Sequence, residues 1–114
     1  MVEVTVDAFE VLVSEAIDSL PPELGAAMEN VAVFVDHHAP AGNLLGLYQG
    51  VPLTERGTSY SAVMPDRITI FRNSICRICG NEAEVVERVR RTVIHEIAHH
   101  FGIDDARLHE LGWA

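Results

Sequence analysis

The sequence predicts an α+β domain, because its patterns are, in order, those of a helix, a strand, a loop, a strand, a long helix, a turn and a short helix. Apolar residues recur at helical spacing from Asp7 to Leu20, with Asp7 at the N-cap position. Val31 to Val35 is a β-branched run that is typical of a buried strand, and Ile68 to Arg72 alternates as a half-buried strand does. A second, longer helical pattern, mostly apolar, runs up to Phe101.

Turn residues predict how these elements are connected. Pro21 and Pro22 end the first helix and lead into a turn or a short helical piece through Met28. A short strand is expected near Leu45 to Tyr48. Cys76 to Gly80 is expected to be a break before the long helix.

The two C-terminal helices have recognisable ends. Asn81 or Glu82 opens the long helix, whose acidic first turn suits the helix dipole. Asp104 is a good N-cap for a short last helix that runs through Leu111 and ends at Gly112. We therefore expect an N-terminal helix, a long helix and a short C-terminal helix.

Length and composition limit the class of protein. A chain of 114 residues has room for one hydrophobic core, so we expect residues 1–114 to form a single domain. With 48% hydrophobic and 22% charged residues the chain is globular rather than disordered. The formal net charge of −9 argues against nucleic-acid and anionic-membrane partners. Met1 to Phe9 lacks signal-peptide features and no apolar run is long enough for a membrane span, so we expect a cytoplasmic location.

The segment from His95 to Asp105 carries the motif H-E-x-x-H-x-x-G-x-x-D, which predicts a mononuclear zinc site. His95 and His99 are four residues apart on a helix, so both imidazoles can face one cation. Glu96 lies beside that face and can reach a water on the metal without being a ligand. Gly102 suits a left-handed helix end, after which the chain can turn back and present Asp105 as a third ligand.

These residues predict the chemistry of a hydrolase. Three protein ligands leave the fourth position of zinc open, as a catalytic site requires. Glu96 would then act as the general base for a zinc-activated water in peptide or amide hydrolysis. We favour Asp105 as the third ligand, and the alternatives are Asp104, His109 and Glu110.

A chance match on an amphipathic helix is the alternative to a metal site. The residues around His95 and Glu96 are mostly apolar, which argues against a solvated charged face: Val89, Val93, Ile94, Ile97, Ala98 and Phe101. Gly102 and Asp105 also extend the match beyond H-E-x-x-H. We therefore favour the metal site and expect one zinc ion per chain.

The chain resembles the zincin metallopeptidase superfamily, and it looks like a small bacterial family of minimal zincin-like proteins with an Asp-type motif. Three segments carry the resemblance over most of residues 44–112: Gly46-Leu47-Tyr48-x-Gly50-x-Pro52-Leu53-Thr54-x-Arg56, Pro65-Asp66-x-Ile68-x-Ile70-Phe71-Arg72, and His99-His100-Phe101-Gly102-Ile103 with Glu110-Leu111-Gly112. The resemblance implies a zincin-like fold, in which the long active-site helix packs on a small mixed β-sheet. It implies a site more firmly than a substrate, and we expect the substrate to be a peptide or protein.

The chain departs from the larger zincins of the metzincin group, which place a methionine beneath the metal downstream of the motif. Met1, Met28 and Met64 all precede the motif here. Trp113 is our candidate for this floor, with capping of the core by a C-terminal aromatic residue as the equal alternative. Zincins also pair extended substrate with an edge strand beside the metal, for which Ile68 to Arg72 is the candidate. The alternative is an ordinary sheet strand, and the sequence leaves open which of the two it is.

Cys76 and Cys79 form a C-x-x-C-G sequence that resembles a zinc knuckle. A four-ligand site would need His37 and His38, or a four-cysteine site shared across a homodimer, which the sequence leaves open. Two free thiols are the default, and a disulfide is not expected in a reducing cytoplasm. We expect His37 and His38 to be solvated. His100 points about 100° away from the ligand face, so we expect it to be a partly buried structural residue.

Two classes of function remain. A zinc-dependent metallopeptidase is the leading hypothesis, because a binding protein has no need of Glu96 as a general base. The alternative is a non-catalytic metal- or peptide-binding module that retains the zincin fold, because 114 residues leave little material for substrate subsites.

Overall fold

The computed structural model describes residues 1–50 and 65–113. Within these ranges the chain forms five α-helices and three β-strands, which confirms the α+β class. In chain order the elements are α1 (Val6–Asp18), α2 (Pro22–Ala27), β1 (Val31–Asp36), β2 (Gly46–Gln49), β3 (Asp66–Phe71), α3 (Arg72–Ile78), α4 (Glu82–His100) and α5 (Asp105–Leu111). None of the described helices is long and apolar enough to cross a membrane.

The three strands form one mixed sheet in the order β1-β3-β2. β1 runs parallel to β3, with Val31 opposite Asp66, whereas β2 runs antiparallel to β3, with Gly46 opposite Ile70. The small mixed sheet is therefore confirmed. Because β3 pairs with a strand on each side, residues 68–71 belong to an ordinary sheet strand rather than to an edge strand open to substrate.

The burial of two strands differs from what their sequences suggested. Residues 68–71 of β3 are all buried, including Thr69, so both faces of this strand are covered rather than one. β1 was expected to be buried, but it is half-buried, and its Phe34 is 44% exposed beneath the Arg67 guanidinium. The reason is position, since β3 lies between two strands and β1 adjoins one strand of the described sheet.

The first two helices begin at residues that suit helix starts. Thr5, rather than the expected Asp7, is the N-cap of α1, because its Oγ1 accepts a hydrogen bond from the Ala8 N–H at 3.2 Å. Asp7 lies within the first turn, where its charge favours the helix dipole. Pro22 is the first residue of α2, where its fixed φ is tolerated, so the short helical piece is confirmed.

α3 occupies part of the segment that was expected to be a break. This helix begins directly after β3, at Arg72, and ends at Ile78, so Arg72 does not belong to the strand. Its N-cap residue, Phe71, makes no side-chain capping hydrogen bond. The usual sequence signal for a helix start is therefore missing, which explains why α3 was not predicted.

The start and end of α4 follow from capping chemistry. Asn81 is the N-cap, and its side chain accepts a hydrogen bond from the Glu84 N–H at 2.9 Å. At the other end Gly102 has a φ of 76°. The Ile103 N–H donates to the Ala98 carbonyl at 2.8 Å, which together with the glycine makes a Schellman motif. The chain thus leaves α4 in a defined direction.

α5 is held at both ends in the same way. Asp104 caps its start, since Oδ1 accepts a hydrogen bond from the Arg107 N–H at 2.8 Å. Gly112 has a φ of 75°, and the Trp113 N–H donates to the Leu108 carbonyl at 3.0 Å, which forms a second Schellman motif. The predicted cap and the predicted end of this helix are both confirmed.

The hydrophobic core lies between α4, α1 and the sheet. The core side of α4 consists of Val85, Val89, Thr92, Val93, Ile94, Ile97 and Ala98, and α1 contributes Phe9, Leu12, Val13 and Ala16. Burying this face against the sheet fixes the rotation of α4 about its own axis. As a result His95 and His99 point away from the core.

Gly46, where β2 begins, allows the strand to approach α4 closely. A Cβ at this position would lie 2.7 Å from Thr92 Cγ2 and 3.3 Å from the Thr69 carbonyl oxygen. Thr92 has little freedom to move, because its hydroxyl donates to the Arg88 carbonyl at 2.8 Å. We expect Gly46→Ala to lower the free energy of unfolding by about 2 kcal/mol, as measured by urea denaturation.

Gly25→Ala is the matched control for this change. Gly25 lies within α2, and a Cβ there would meet nothing within 4 Å. Alanine has the higher helix propensity, so this variant should be as stable as the original protein or slightly more stable. Equal urea midpoints for the two variants would contradict the close approach at Gly46.

Candidate metal centre

Two imidazoles lie one helical turn apart near the end of α4. The ring centroids of His95 and His99 are 4.0 Å apart, and each side chain is 49% exposed. Their spacing of four residues places them on one face of the helix. Both rings therefore reach the same region of solvent-accessible space.

Asp105 brings a carboxylate to these two rings. Its Oδ1 lies 3.5 Å from His95 Nδ1 and 3.6 Å from His99 Nε2. Donor atoms of the three residues all lie within 4.8 Å of one another. Zinc–ligand bonds of about 2.0–2.2 Å in a tetrahedron separate neighbouring ligand atoms by about 3.4 Å, so this donor set fits zinc.

The turn between α4 and α5 explains why Asp105 reaches the histidines. The left-handed Gly102 reverses the chain, and Asp105 is then the first residue of α5. The other candidates have different surroundings: Asp104 caps α5, Glu110 pairs with Arg107 at 2.9 Å, and His109 lies outside the donor group.

Glu96 lies beside the donor group without belonging to it. Its side chain is half-buried, and together with His95 it lines a cleft of about 300 Å³. Within the described ranges it makes no hydrogen bond and no ion pair. The carboxylate is therefore available to a ligand in the cleft.

Comparison with known proteins identifies the family. The model of a family described as zincin-like metallopeptidase matches residues 28–113, which cover most of the chain and the whole donor group. The chain belongs to the zincin-like metallopeptidase family. Membership of this metallopeptidase family implies zinc as the metal and peptides as substrates.

A solved structure has a similar fold. A conserved hypothetical protein from Thermo thermophilus is 22% identical and superposes with a TM-score of 0.54, over 85% of this chain and 94% of that chain. A likeness at this identity supports the fold alone. No curated protein matches the chain.

Two clefts flank His95. The first, already described, lies between α4 and the segment Asn43–Gly46. The second, of about 390 Å³, lies on the other side of His95 and is lined by Asp105, Leu108 and Trp113, among others. Trp113 is half-buried against the core and also reaches the neighbourhood of the donor group. Its packing on the core agrees with the capping role, whereas the role as a floor beneath the metal stays a prediction.

Two arginines of the first cleft were not singled out from the sequence. Arg88 and Arg91 line it together with Glu96. They precede His95 by seven and four residues, a spacing that places them on the same helix face. That spacing alone does not indicate a cleft, because the opposing wall of the cleft comes from a distant part of the chain.

His100 connects α4 to the sheet. Its ring stacks on Tyr48 of β2, with centroids 4.0 Å apart and planes 20° apart. Its Nε2 lies 3.7 Å from Asp66 Oδ2, and the Tyr48 hydroxyl donates to the same oxygen at 2.7 Å. These contacts agree with the structural role that was expected for His100.

His37 and His38 are exposed, as expected, and each also makes a side-chain contact. Arg72 Nε donates to His37 Nδ1 at 3.2 Å, and Asn73 Nδ2 lies 2.9 Å from His38 Nδ1. These bonds join the segment after β1 to the start of α3. No cluster of metal-ligating residues in the described ranges includes either histidine or a cysteine, so the zinc-knuckle interpretation gains no support.

Cys76 and Cys79 are buried free thiols, as the default interpretation predicted. Burial raises the pKa of the Cys76 thiol above its ordinary value of 9.0, and the nearby Arg72 opposes this effect in part. Burial also raises the pKa of Cys79, with Glu84 and Cys76 adding to the rise while Arg88 and the N-terminus oppose it. Neither thiol is poised as a nucleophile.

These two thiols should make stability fall at high pH. The unfolded chain loses its thiol protons near pH 9.0, before the folded chain does, so the folded state then binds more protons. The free energy of unfolding should therefore decrease as the pH rises through this value. Urea denaturation between pH 7 and 10 measures the decrease, which should be weaker in the Cys76→Ala/Cys79→Ala variant; equal slopes would contradict the assignment.

Proposed function

We propose that this protein is a zinc-dependent metallopeptidase whose single domain hydrolyses peptide bonds, with His95, His99 and Asp105 as the ligands of one zinc ion. The observation that carries the proposal is the convergence of three donor atoms within 4.8 Å of one another. The half exposure of both imidazoles supports a catalytic site rather than a closed structural one, because a substrate needs access to the fourth position.

Glu96 would be the general base of the reaction. When bound, zinc supplies a Lewis acid that makes a water more acidic and polarises the substrate carbonyl. Glu96 would accept a proton from the attacking water as its oxygen forms a bond to the carbonyl carbon. The same carboxyl group would return that proton to the leaving nitrogen as the C–N bond breaks, so Glu96 ends the cycle ionised.

The two clefts beside His95 supply space for the substrate. One lies on the Glu96 side and the other on the Trp113 side, with volumes of about 300 and 390 Å³. A peptide whose scissile bond lies at the donor group could place a residue in each. This arrangement supports the proposal against the alternative that a chain of this length lacks material for subsites.

Metal content tests the proposal directly. Native mass spectrometry would be applied to protein that has been stripped with a chelator and then given zinc, beside His99→Ala and the control His109→Ala. His109 lies near the site but outside the donor group. We expect one zinc per chain in the original protein and in His109→Ala, and none in His99→Ala.

Two other outcomes would change the assignment. No zinc above background in the original protein would overturn the hydrolase proposal. Two zinc ions, of which one remains in His99→Ala, would overturn the stoichiometry and assign a metal to Cys76 and Cys79. A screen of a peptide library with the zinc-loaded protein then tests turnover.

A further inference from the structure

Positive charge is concentrated in the cleft on the Glu96 side of the metal centre. Arg88 and Arg91 both line this cleft, which otherwise contains apolar and uncharged residues together with His95 and Glu96. The chain as a whole has a net charge of −9, and its eight basic residues are all arginines. The two guanidinium groups beside the metal centre are therefore positively charged, whereas the protein as a whole is negatively charged.

Arg88 has no charged partner in the described part of the chain. Its side chain is half-buried and takes part in no ion pair or hydrogen bond there. Glu84 and Glu87 line a smaller neighbouring cleft with Arg88, but neither lies within ion-pair distance of it. A half-buried guanidinium without a partner favours the binding of an anion.

Arg91 can exchange its present partner for a ligand. Its Nε donates to Glu87 Oε1 at 3.0 Å, and both side chains are more than half exposed. An exposed ion pair of this kind contributes little to stability, so giving it up costs little. Arg91 can thus join Arg88 on a carboxylate, for which the planar guanidinium is well suited.

The position of the arginines along α4 defines where such a carboxylate would lie. Arg91 and Arg88 precede His95 by about 6 and 10 Å of helix rise. An extended peptide advances by about 3.3 Å per residue. The arginine side chain itself spans part of the distance between its own position on α4 and His95. A carboxylate held here belongs to a residue within about two positions of the scissile bond.

We propose that Arg88, assisted by Arg91, forms a subsite for a carboxylate within about two residues of the bond that is cleaved. The preferred substrates are then peptides that carry Asp, Glu or the free C-terminal carboxylate at that place. The position of the carboxylate relative to the scissile bond rests on the proposed function. The binding of a carboxylate in the cleft does not depend on that function.

Peptide binding to the zinc-loaded Glu96→Gln variant tests the subsite without turnover. Calorimetric titrations would use a neutral hexapeptide that is blocked at both ends, the same peptide with one Glu moved along it, and the neutral peptide with a free C-terminus. We expect at least one carboxylate peptide to bind about five- to tenfold more tightly than the neutral one, and less so at high salt. The Glu series and the free C-terminus distinguish the two sources of the carboxylate.

Arginine variants identify the group responsible. Arg88→Gln, made in the same background, should remove the preference while leaving the affinity for the neutral peptide unchanged. Arg77→Gln removes an equal charge from an exposed residue of α3 that lines a different cleft, and it should retain the preference. Equal binding of the neutral and carboxylate peptides, or a preference that survives in the Arg88→Gln/Arg91→Gln variant, would overturn the proposal.

The two proposals can fail separately. If the zinc-loaded original protein cleaves peptides with no regard to carboxylates, the subsite is wrong and the peptidase remains. If it cleaves none of them but binds carboxylate peptides through Arg88, the peptidase is wrong and the anion-binding cleft remains.

Discussion

Glu96→Gln should lower kcat/KM for peptide hydrolysis by about a thousandfold while leaving the zinc content unchanged. Glutamine keeps the shape of the side chain but cannot accept the proton of the attacking water. Glu96 lies outside the donor group, so its replacement removes no ligand. Rates measured on a cleaved library peptide, beside metal content from native mass spectrometry, separate the two effects.

Glu82→Gln is the control for the loss of one carboxylate from α4. Glu82 is exposed in the first turn of α4, about four turns away from the donor group. The Glu82→Gln substitution should therefore change the rate by less than about twofold. Zinc binding without turnover in the original protein would instead favour the alternative function, a module that binds metal or peptide without catalysis. A Glu96→Gln variant with unchanged turnover would show that another group acts as the base.

Asp105→Ala should weaken zinc binding by at least about a hundredfold. The loss of a residue that merely orients a ligand already costs about 10- to 100-fold in metal affinity, and Asp105 would be a ligand itself. Its Oδ1 is the oxygen that lies 3.5 and 3.6 Å from the two imidazoles. Competition with a chromophoric zinc chelator measures the affinity.

The neighbouring Asp104 provides a matched comparison. Asp104 caps α5, so Asp104→Ala should lower the free energy of unfolding by about 1 kcal/mol. Its zinc affinity should stay within about tenfold of the original, because both imidazoles and Asp105 remain. If instead Asp104→Ala loses zinc and Asp105→Ala keeps it, the third ligand has been assigned to the wrong residue.

Sequence signals predicted the C-terminal part of the fold best, because its helix ends depend on local chemistry. Asn81 and Asp104 each cap the helix that follows them, and Gly102 and Gly112 end the two helices in the left-handed conformation. Each of these interactions joins residues that are a few positions apart. Neighbouring residues therefore contain the necessary information.

The sheet and α3 were predicted less well, because their surroundings depend on residues distant in sequence. β1 and β3 have similar apolar runs, but the order β1-β3-β2 decides that β3 is buried and β1 partly exposed. α3 has no capping side chain and begins without a turn after β3. Residues 51–56, which belong to the first of the three segments that carry the family resemblance, lie outside the described residues.

The candidate site also has a part that local sequence predicts and a part that depends on residues distant in sequence. The spacing of His95, His99 and Asp105 predicted a convergence that the structure contains, because one helix and one turn produce it. Arg88 and Arg91 were overlooked, because they become the lining of a cleft through the wall formed by Asn43–Gly46. Donor groups could thus be found from local spacing, whereas subsites could not.

The closeness of the donors in sequence has a consequence for engineering. A segment of only a few residues joins His95 and His99 to Asp105. Closing so short a loop costs little conformational entropy. The helix–turn–helix segment from α4 to α5 should therefore be transferable as a unit to another helical scaffold that buries its apolar face. If the donor group binds zinc as proposed, such a graft should take up zinc while lacking the clefts. Comparing it with the parent would then separate the contribution of the metal to catalysis from that of substrate positioning.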